Sequence, residues 1–375
     1  MAGIYIHIPF CKKRCTYCDF YTEVAPKLIP RLVDSICKEI EIRADYLANN
    51  QIDTIYFGGG TPSVLKPEQF SAIFKAIYST FSVSENAEIT FESNPDDLSV
   101  QFFESISQLP FNRISIGIQS FDDDDLKRIN RRHVGNQAVQ AIRNAQHAGF
   151  KNISIDLIYG LPYQTIEKWE KQLNMALIMN VQHISSYGLT YEEGTKLWEQ
   201  REKGEVIPVD DDTMNEMYLL LVKNMKEKGF DAYEISNFAQ KDYRSRHNSA
   251  YWKQQPYLGL GPSAHSYNLV SRQWNVSSIL KYVYAVENKT NFFETENLSI
   301  SEKFNDYVMV SLRTSEGIDL EYIKTEFGKK FVIECLENSQ PFVDSLHLNL
   351  TDNRLSLTSK GVLISNQILI ELMKV

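Results

Sequence analysis

The sequence predicts an α/β protein: an incomplete (β/α)6 TIM-like barrel followed by a small winged-helix-like α+β domain. Three observations carry this. Short β-rich runs alternate with amphipathic helical stretches over roughly the first two thirds of the 375 residues, and parallel strands need helical crossovers of that length. Most polar residues suited to chemistry fall at or just after a strand end, where parallel α/β folds bind ligands. The alternation loosens after Gly229, and a helix–helix–hairpin pattern takes over near Ile300. An open doubly wound sheet is the alternative.

Strands are expected at 4–8, 54–57, 88–91, 113–118, 153–158 and 184–188, and helices at 28–47, 67–80, 100–109, 138–148 and 166–178. Ser99 and Thr165 read as N-caps. Asp122 to Asp125 read as a solvated helix start matched to the helix dipole. The stretch 242–262 reads as a loop. Within it, Gly259-Leu260-Gly261-Pro262-Ser263-Ala264 fits G-x-G-x-x-A, but Pro262 falls inside the turn and no clear strand precedes it, so a turn is the reading. Near the end, Thr351-Asp352-Asn353 joins two short apolar runs into a hairpin. The expected units are 1–235, the barrel with an N-terminal loop; 236–299, a loop-rich connecting region; and 300–375, the C-terminal domain.

Composition narrows the function. The net charge of -9 speaks against nucleic-acid binding, and residues 300–375 hold more acidic than basic side chains. No apolar run reaches the length of a membrane span. The start, MAGIYIHIPF, is too short and uncharged for a signal peptide. A cytoplasmic protein is expected. With 20 Tyr and 20 Phe, the aromatic content suits a large planar ligand, and equally a tyrosine-rich surface.

Cys11, Cys15 and Cys18 stand at C-x3-C-x2-C spacing. Three thiolates on one loop can hold three corners of an iron–sulfur cubane and leave one iron open to a small molecule. Zinc closed by His7 or Asp19 is the alternative. Five cysteines are an odd count, and Cys37 and Cys335 read as small core residues. Gly58-Gly59-Gly60-Thr61-Pro62 follows a strand, and its glycines would let a ligand lie against bare backbone. Glu92, Asn94, Gln119, Ser120 and Tyr187 sit at strand ends, with Asp156 inside its strand. By chemistry alone His247, Tyr251 and Trp252 read as a core histidine beside an aromatic pair.

Together the cysteine triad, GGGTP, Glu92 in TFESNP, Gln119 in SIGIQSF, Asn130-Arg131 and Asp156 in IDLIYGLP resemble radical S-adenosylmethionine (SAM) enzymes, specifically the oxygen-independent coproporphyrinogen III oxidase family. The resemblance spans nearly the whole chain. It implies a 4Fe–4S cluster on Cys11, Cys15 and Cys18, one electron from which breaks SAM. It also implies SAM contacts from Tyr5, Gly59, Gly60, Thr61, Glu92, Gln119, Arg131 and Asp156. Arg131 suits the methionyl carboxylate, Glu92 the ammonium, and Asp156 the ribose hydroxyls.

Two departures refine the resemblance. Phe20 stands where the oxidases have a further cysteine. The run His247-Asn248-Ser249-Ala250-Tyr251-Trp252 is similar to the H-N-x-x-Y-W signature of HemW-type haem chaperones. That likeness implies haem as cargo, held by His247, Asn248, Tyr251 and Trp252. It further implies recipient haemoproteins of the respiratory chain, an electron donor if SAM is cleaved, a homodimer, and peripheral contact with the membrane during delivery. Oxidative decarboxylation of coproporphyrinogen propionates is the alternative activity, and a purely structural metal module a third reading.

Overall fold

The structure is a computed structural model and describes residues 2–48 and 51–374. Six parallel strands form its centre: β1 (Ala2–Ile8), β2 (Ile52–Gly59), β3 (Val83–Ser93), β4 (Arg113–Gln119), β5 (Ile153–Tyr159) and β6 (His183–Gly188). Each pairs in parallel with its successor in the chain. This unbroken order is that of a barrel, because a doubly wound sheet reverses order at a switch point. Antiparallel β7 (Asp231–Ala232) and β8 (Asn237–Ala239) extend the sheet beyond β6. β9 (Tyr257–Leu260), β10 (His265–Tyr267), β11 (Ser271–Asn275) and β12 (Phe293–Asn297) extend it beyond β1. The sheet ends on β7 and β12, so the barrel is incomplete.

The strands are sorted by their period of two. Ile4, Ile6 and Ile8 of β1, Ile114, Ile116 and Ile118 of β4, and Ile153, Ile155 and Leu157 of β5 are buried in one core with the surrounding helices. The intervening residues, among them Arg113, Ser115, Gly117, Gln119 and Asp156, line a cavity on the other face. Helices Pro67–Thr80 and Ile166–Ile178 have their expected bounds. The first helix covers Ile29–Ile42 rather than 28–47. It stops where Arg43 turns inward, over the rings of Tyr46 and Phe293 at 4.6 and 4.8 Å. Ser99 and Thr165 cap their helices.

Four expectations are corrected. The segment 236–299 is not mainly loop, since β8 to β12 all belong to the main sheet. β9 pairs in parallel with Gly3 to Ile6, so a strand does precede the Gly261 turn. Asp122 caps the helix Asp123–Arg128, but Asp125 is wholly buried and accepts from Ser120 Oγ at 3.2 Å. Cys335 is a core residue, whereas Cys37 is only half-buried.

The C-terminal region has its own apolar core around Phe304, Val308, Ile323, Leu355 and Ile368. Its sheet holds β13 (Ile318–Asp319), β14 (Leu348–Thr351) and β15 (Arg354–Leu357). Asp352 and Asn353 adopt φ 51° and 60° in the turn between β14 and β15, as a tight hairpin demands. Ser315 N–H donates to Tyr233 O at 3.1 Å and Arg244 pairs with Glu316 at 2.7 Å, tying this region to the barrel.

The glycine run is required by the fold itself. A Cβ on Gly60 would lie 2.8 Å from the carbonyl oxygens of Ile8 and Phe10, and Gly59 (φ +102°) would drive one into the His7 ring at 2.6 Å. Their bareness therefore serves the end of β1, not ligand approach alone. Gly60→Ala should lower stability by about 1–3 kcal/mol in urea unfolding. Gly149→Ala, with φ +92° but open space around it, should cost only about 1 kcal/mol. Equal costs would refute this account.

Candidate functional site

The cavity has a volume of about 540 Å³ and runs from the cysteine loop into the barrel. At its mouth stand Cys11, Cys15 and Cys18. Cys18 is close enough to Cys15 and Cys11 for them to raise its pKa electrostatically, and burial, the larger cause, pushes it up to about 11. Cys11 Sγ lies 3.5 Å from Thr61 Oγ1, and Arg131 Nη1–H donates to Cys15 Sγ at 3.5 Å. Among the described residues no three His, Cys, Asp or Glu side chains converge on a single-ion site. His7 has both ring nitrogens occupied, by Tyr5 OH and Tyr21 O, each at 3.1 Å. It is not placed to close a zinc tetrahedron.

The strands bring most of the expected residues together. Gly59, Gly60, Thr61, Glu92, Gln119, Arg131 and Asp156 all line the cavity. Arg131 is aimed by Asn94 Oδ1 and the Gly117 carbonyl, to which its Nη2 donates, and its buried Nε has no partner. Asn94 Nδ2 donates to Thr61 Oγ1 at 3.4 Å. Glu92 accepts from Tyr56 OH at 2.8 Å. Burial pushes its carboxyl up to about 7, against the opposing effect of that hydrogen bond. Asp156 accepts from Ser115 Oγ at 3.2 Å, and burial raises its pKa too, opposed chiefly by a bond from Ser185. Gln119 ends β4 at φ +66°, a left-handed turn that lets the chain leave the strand.

Tyr5 is the exception. It lies against Tyr56 and His247, with ring centroids 6.2 and 6.4 Å away, and is not part of the cavity wall. Conversely, Tyr56, Arg113, Ser115 and Ser185 line the cavity without having been singled out. For Arg113 and Ser115 the signal was present: both sit at the polar phase of β4, whose other phase is isoleucine throughout.

The HNSAYW run is a helix, Arg246–Trp252, rather than loop. It closes the barrel floor. His247 is buried, stacked on Tyr56 at 4.9 Å, with Nδ1 bonded to Thr54 Oγ1 and Nε2 to Tyr251 OH, each at 2.8 Å. Burial lowers its pKa to about 3, so the ring is neutral. Neither nitrogen is free for iron in this arrangement, which is that of a core histidine beside aromatic rings. Asn248 reaches the cavity. Trp252 faces away, into a groove of about 360 Å³ against the C-terminal domain, shared with Tyr233, Tyr307, Tyr322, Arg244 and Arg354.

Sequence comparison matches this arrangement. The radical SAM superfamily profile covers residues 5–176, and that of the HemN C-terminal domain residues 299–364. The heme chaperone HemW of Bacillus subtilis (strain 168) is 30% identical over 371 residues, covering 98% of both chains. The chain belongs to the HemW family of radical SAM proteins. HemW of Lactococcus lactis is also 30% identical, over 97% of this chain and 95% of its own. Coproporphyrinogen III oxidase (HemN) from Escherichia coli superposes with a TM-score of 0.86 over 100% of this chain and 90% of its own. Its identity is 22%, so the likeness is one of fold.

The buried histidine makes a prediction that needs no ligand. His247→Ala should destabilise the chain by about 2–4 kcal/mol in urea unfolding, since it opens a cavity and strands Thr54 and Tyr251. A change below about 0.5 kcal/mol, the range of ordinary surface substitutions, would show that the floor does not depend on it.

Proposed function

We propose that this chain is a haem chaperone that holds a 4Fe–4S cluster and SAM at the barrel mouth. It binds haem and passes it to haemoproteins of the respiratory chain. The observation that carries the cofactor reading is the set of three neighbouring thiols over a lumen wall offering both a cation and carboxylates. The family supports the cargo: relatives matched over the full chain are named heme chaperones.

The residues present fit the two cofactors. Cys11, Cys15 and Cys18 would ligate three irons. Once bound and reduced, the cluster supplies one electron for breaking the SAM sulfonium, and an electron donor then becomes a partner. Arg131, already fixed by Asn94, offers its free Nε to the methionyl carboxylate. Glu92 accepts from the ammonium and Asp156 from ribose hydroxyls. Thr61 and Gln119 flank them, and Gly59 and Gly60 present backbone. Tyr5 acts from behind, through Tyr56. Oxidation of coproporphyrinogen is not proposed. Phe20, 62% exposed at the cavity mouth, stands where the oxidases carry a further cysteine.

For haem, the motif residues open to a ligand are Asn248 and Trp252. Ligation by His247 requires its imidazole to release Thr54 or Tyr251. No helix among the described residues is long and apolar enough to cross a membrane. Delivery to membrane haemoproteins is proposed as peripheral contact from the cytoplasm.

Three measurements test this. Anaerobic purification should yield about four irons per chain. That iron should be lost in Cys11→Ala, Cys15→Ala or Cys18→Ala and retained in Cys37→Ala. Stoichiometric zinc without iron would end the reading. SAM binding should follow the ionisation of Glu92, which is half complete near pH 7, approaches completion above it and is lost below it. The dissociation constant should therefore rise, by up to about tenfold per pH unit, as pH falls from 7. A flat profile from pH 8 to 5 would remove Glu92 from the ammonium. Haem titration should give a stable complex with no coproporphyrinogen turnover. Trp252→Ala should weaken that complex, and sustained oxidase turnover would overturn the assignment.

A further inference from the structure

Arg113 opens β4 at the lumen floor. It is 1% exposed, yet it contributes to the cavity wall, and its Nε and Nη1 have no hydrogen-bond partner. No ion pair forms to it among the described residues. Its register partner on β3, Thr90, is also fully buried with an unpartnered hydroxyl. An unpaired guanidinium held out of water is costly, and the surrounding strands explain what offsets it. Further along the strands, Glu92 stands opposite Ser115 and Asp156 opposite Gly117, two carboxylates lining the same cavity. Through-space attraction at such range is weak in water and substantial where water is excluded.

We propose that Arg113 is a positioning residue, a counter-charge under the lumen that favours the ionised form of Glu92 and readies it for a cationic ligand entering from the cysteine loop. The groups facing Glu92 are known from every side: Tyr5 on β1, Tyr56 on β2, Asp156 on β5, and Tyr251 on the helix Arg246–Trp252. Tyr5, Tyr56 and Tyr251 are neutral, their pKa values raised well above 10 by burial first, and Asp156 is of like sign. His183 and His247, whose pKa values burial and then Arg113 lower, are neutral as well. Arg131, bonded to Asn94, Gly117 and Cys15, serves Asp156: Gly117 is the register partner of Asp156, and Arg131 as well as Arg113 opposes the rise in its pKa. That leaves Arg113 as the cation serving Glu92.

This inference rests on the reading that the pair receives SAM, so its test has a readout without SAM. The full-length chain labelled with ¹³C at glutamate carboxyls is titrated, with Glu92→Gln identifying the signal. Arg113→Met should move the Glu92 midpoint upward by about one pH unit, and Arg113→Lys should restore it. If the methionine variant does not fold, Arg113→Gln replaces it. SAM affinity at pH 7 should fall by several-fold to about tenfold in the neutral variant, with the gap closing by about pH 9. An unmoved midpoint would overturn the proposal, even with affinity lost, because Arg113 would then only pack. A moved midpoint in a protein that binds no SAM would uphold the counter-charge and refute the ligand.

Discussion

A strand sends alternate side chains to opposite faces, and everything in this molecule is arranged around that fact. On β1, β4 and β5 the outward phase is isoleucine or leucine, packed beneath helices. The inward phase is freed from core duty and carries arginine, serine, glycine, glutamine and aspartate. Burying one face under helices is what permits the other to be polar, because a sheet with two polar faces would have no hydrophobic drive to form. A register slip of one residue would exchange the faces and destroy both core and site.

The polar lumen then sets its own electrostatic problem. Carboxylates enclosed by strands lose water, and burial moves Glu92 and Asp156 toward the neutral form. The structure answers with hydrogen bonds from Tyr56, Ser115 and Ser185 and with guanidinium groups above and below. Arg131 is aimed by Asn94 and the Gly117 carbonyl, so its direction is set before any ligand arrives. Such prior fixing lowers the ordering cost of binding.

Legibility followed the range of the interactions. The six parallel strands and five helices were readable because periodicity is local, and the cysteine loop because its spacing is contiguous. β9 was missed because Tyr257–Leu260 follows Pro256 and shows no alternation; it is a strand because Gly3 to Ile6 lie beside it. His247 read by local chemistry as a core histidine beside aromatic rings, and Tyr251 is such a partner, but what lies on its other side was not legible. Its partners, Thr54 and Tyr56, stand about two hundred positions earlier. Gly60 was read toward a ligand, whereas its nearest constraint is the backbone of Ile8 and Phe10. Arg113 was overlooked inside RISIGIQ, although its phase relative to the isoleucines marks it as inward.

The helix Arg246–Trp252 has one end in each of two compartments. His247 is locked into the barrel floor, while Trp252 stands in the groove beside the C-terminal domain. Seven residues of helix span about 10 Å and behave as a lever rather than a hinge. Any rotation that withdrew the imidazole from Thr54 would swing the indole as well. Events in the lumen and at the domain boundary are thereby geared together, and what tightens one must, by reciprocity, be felt at the other.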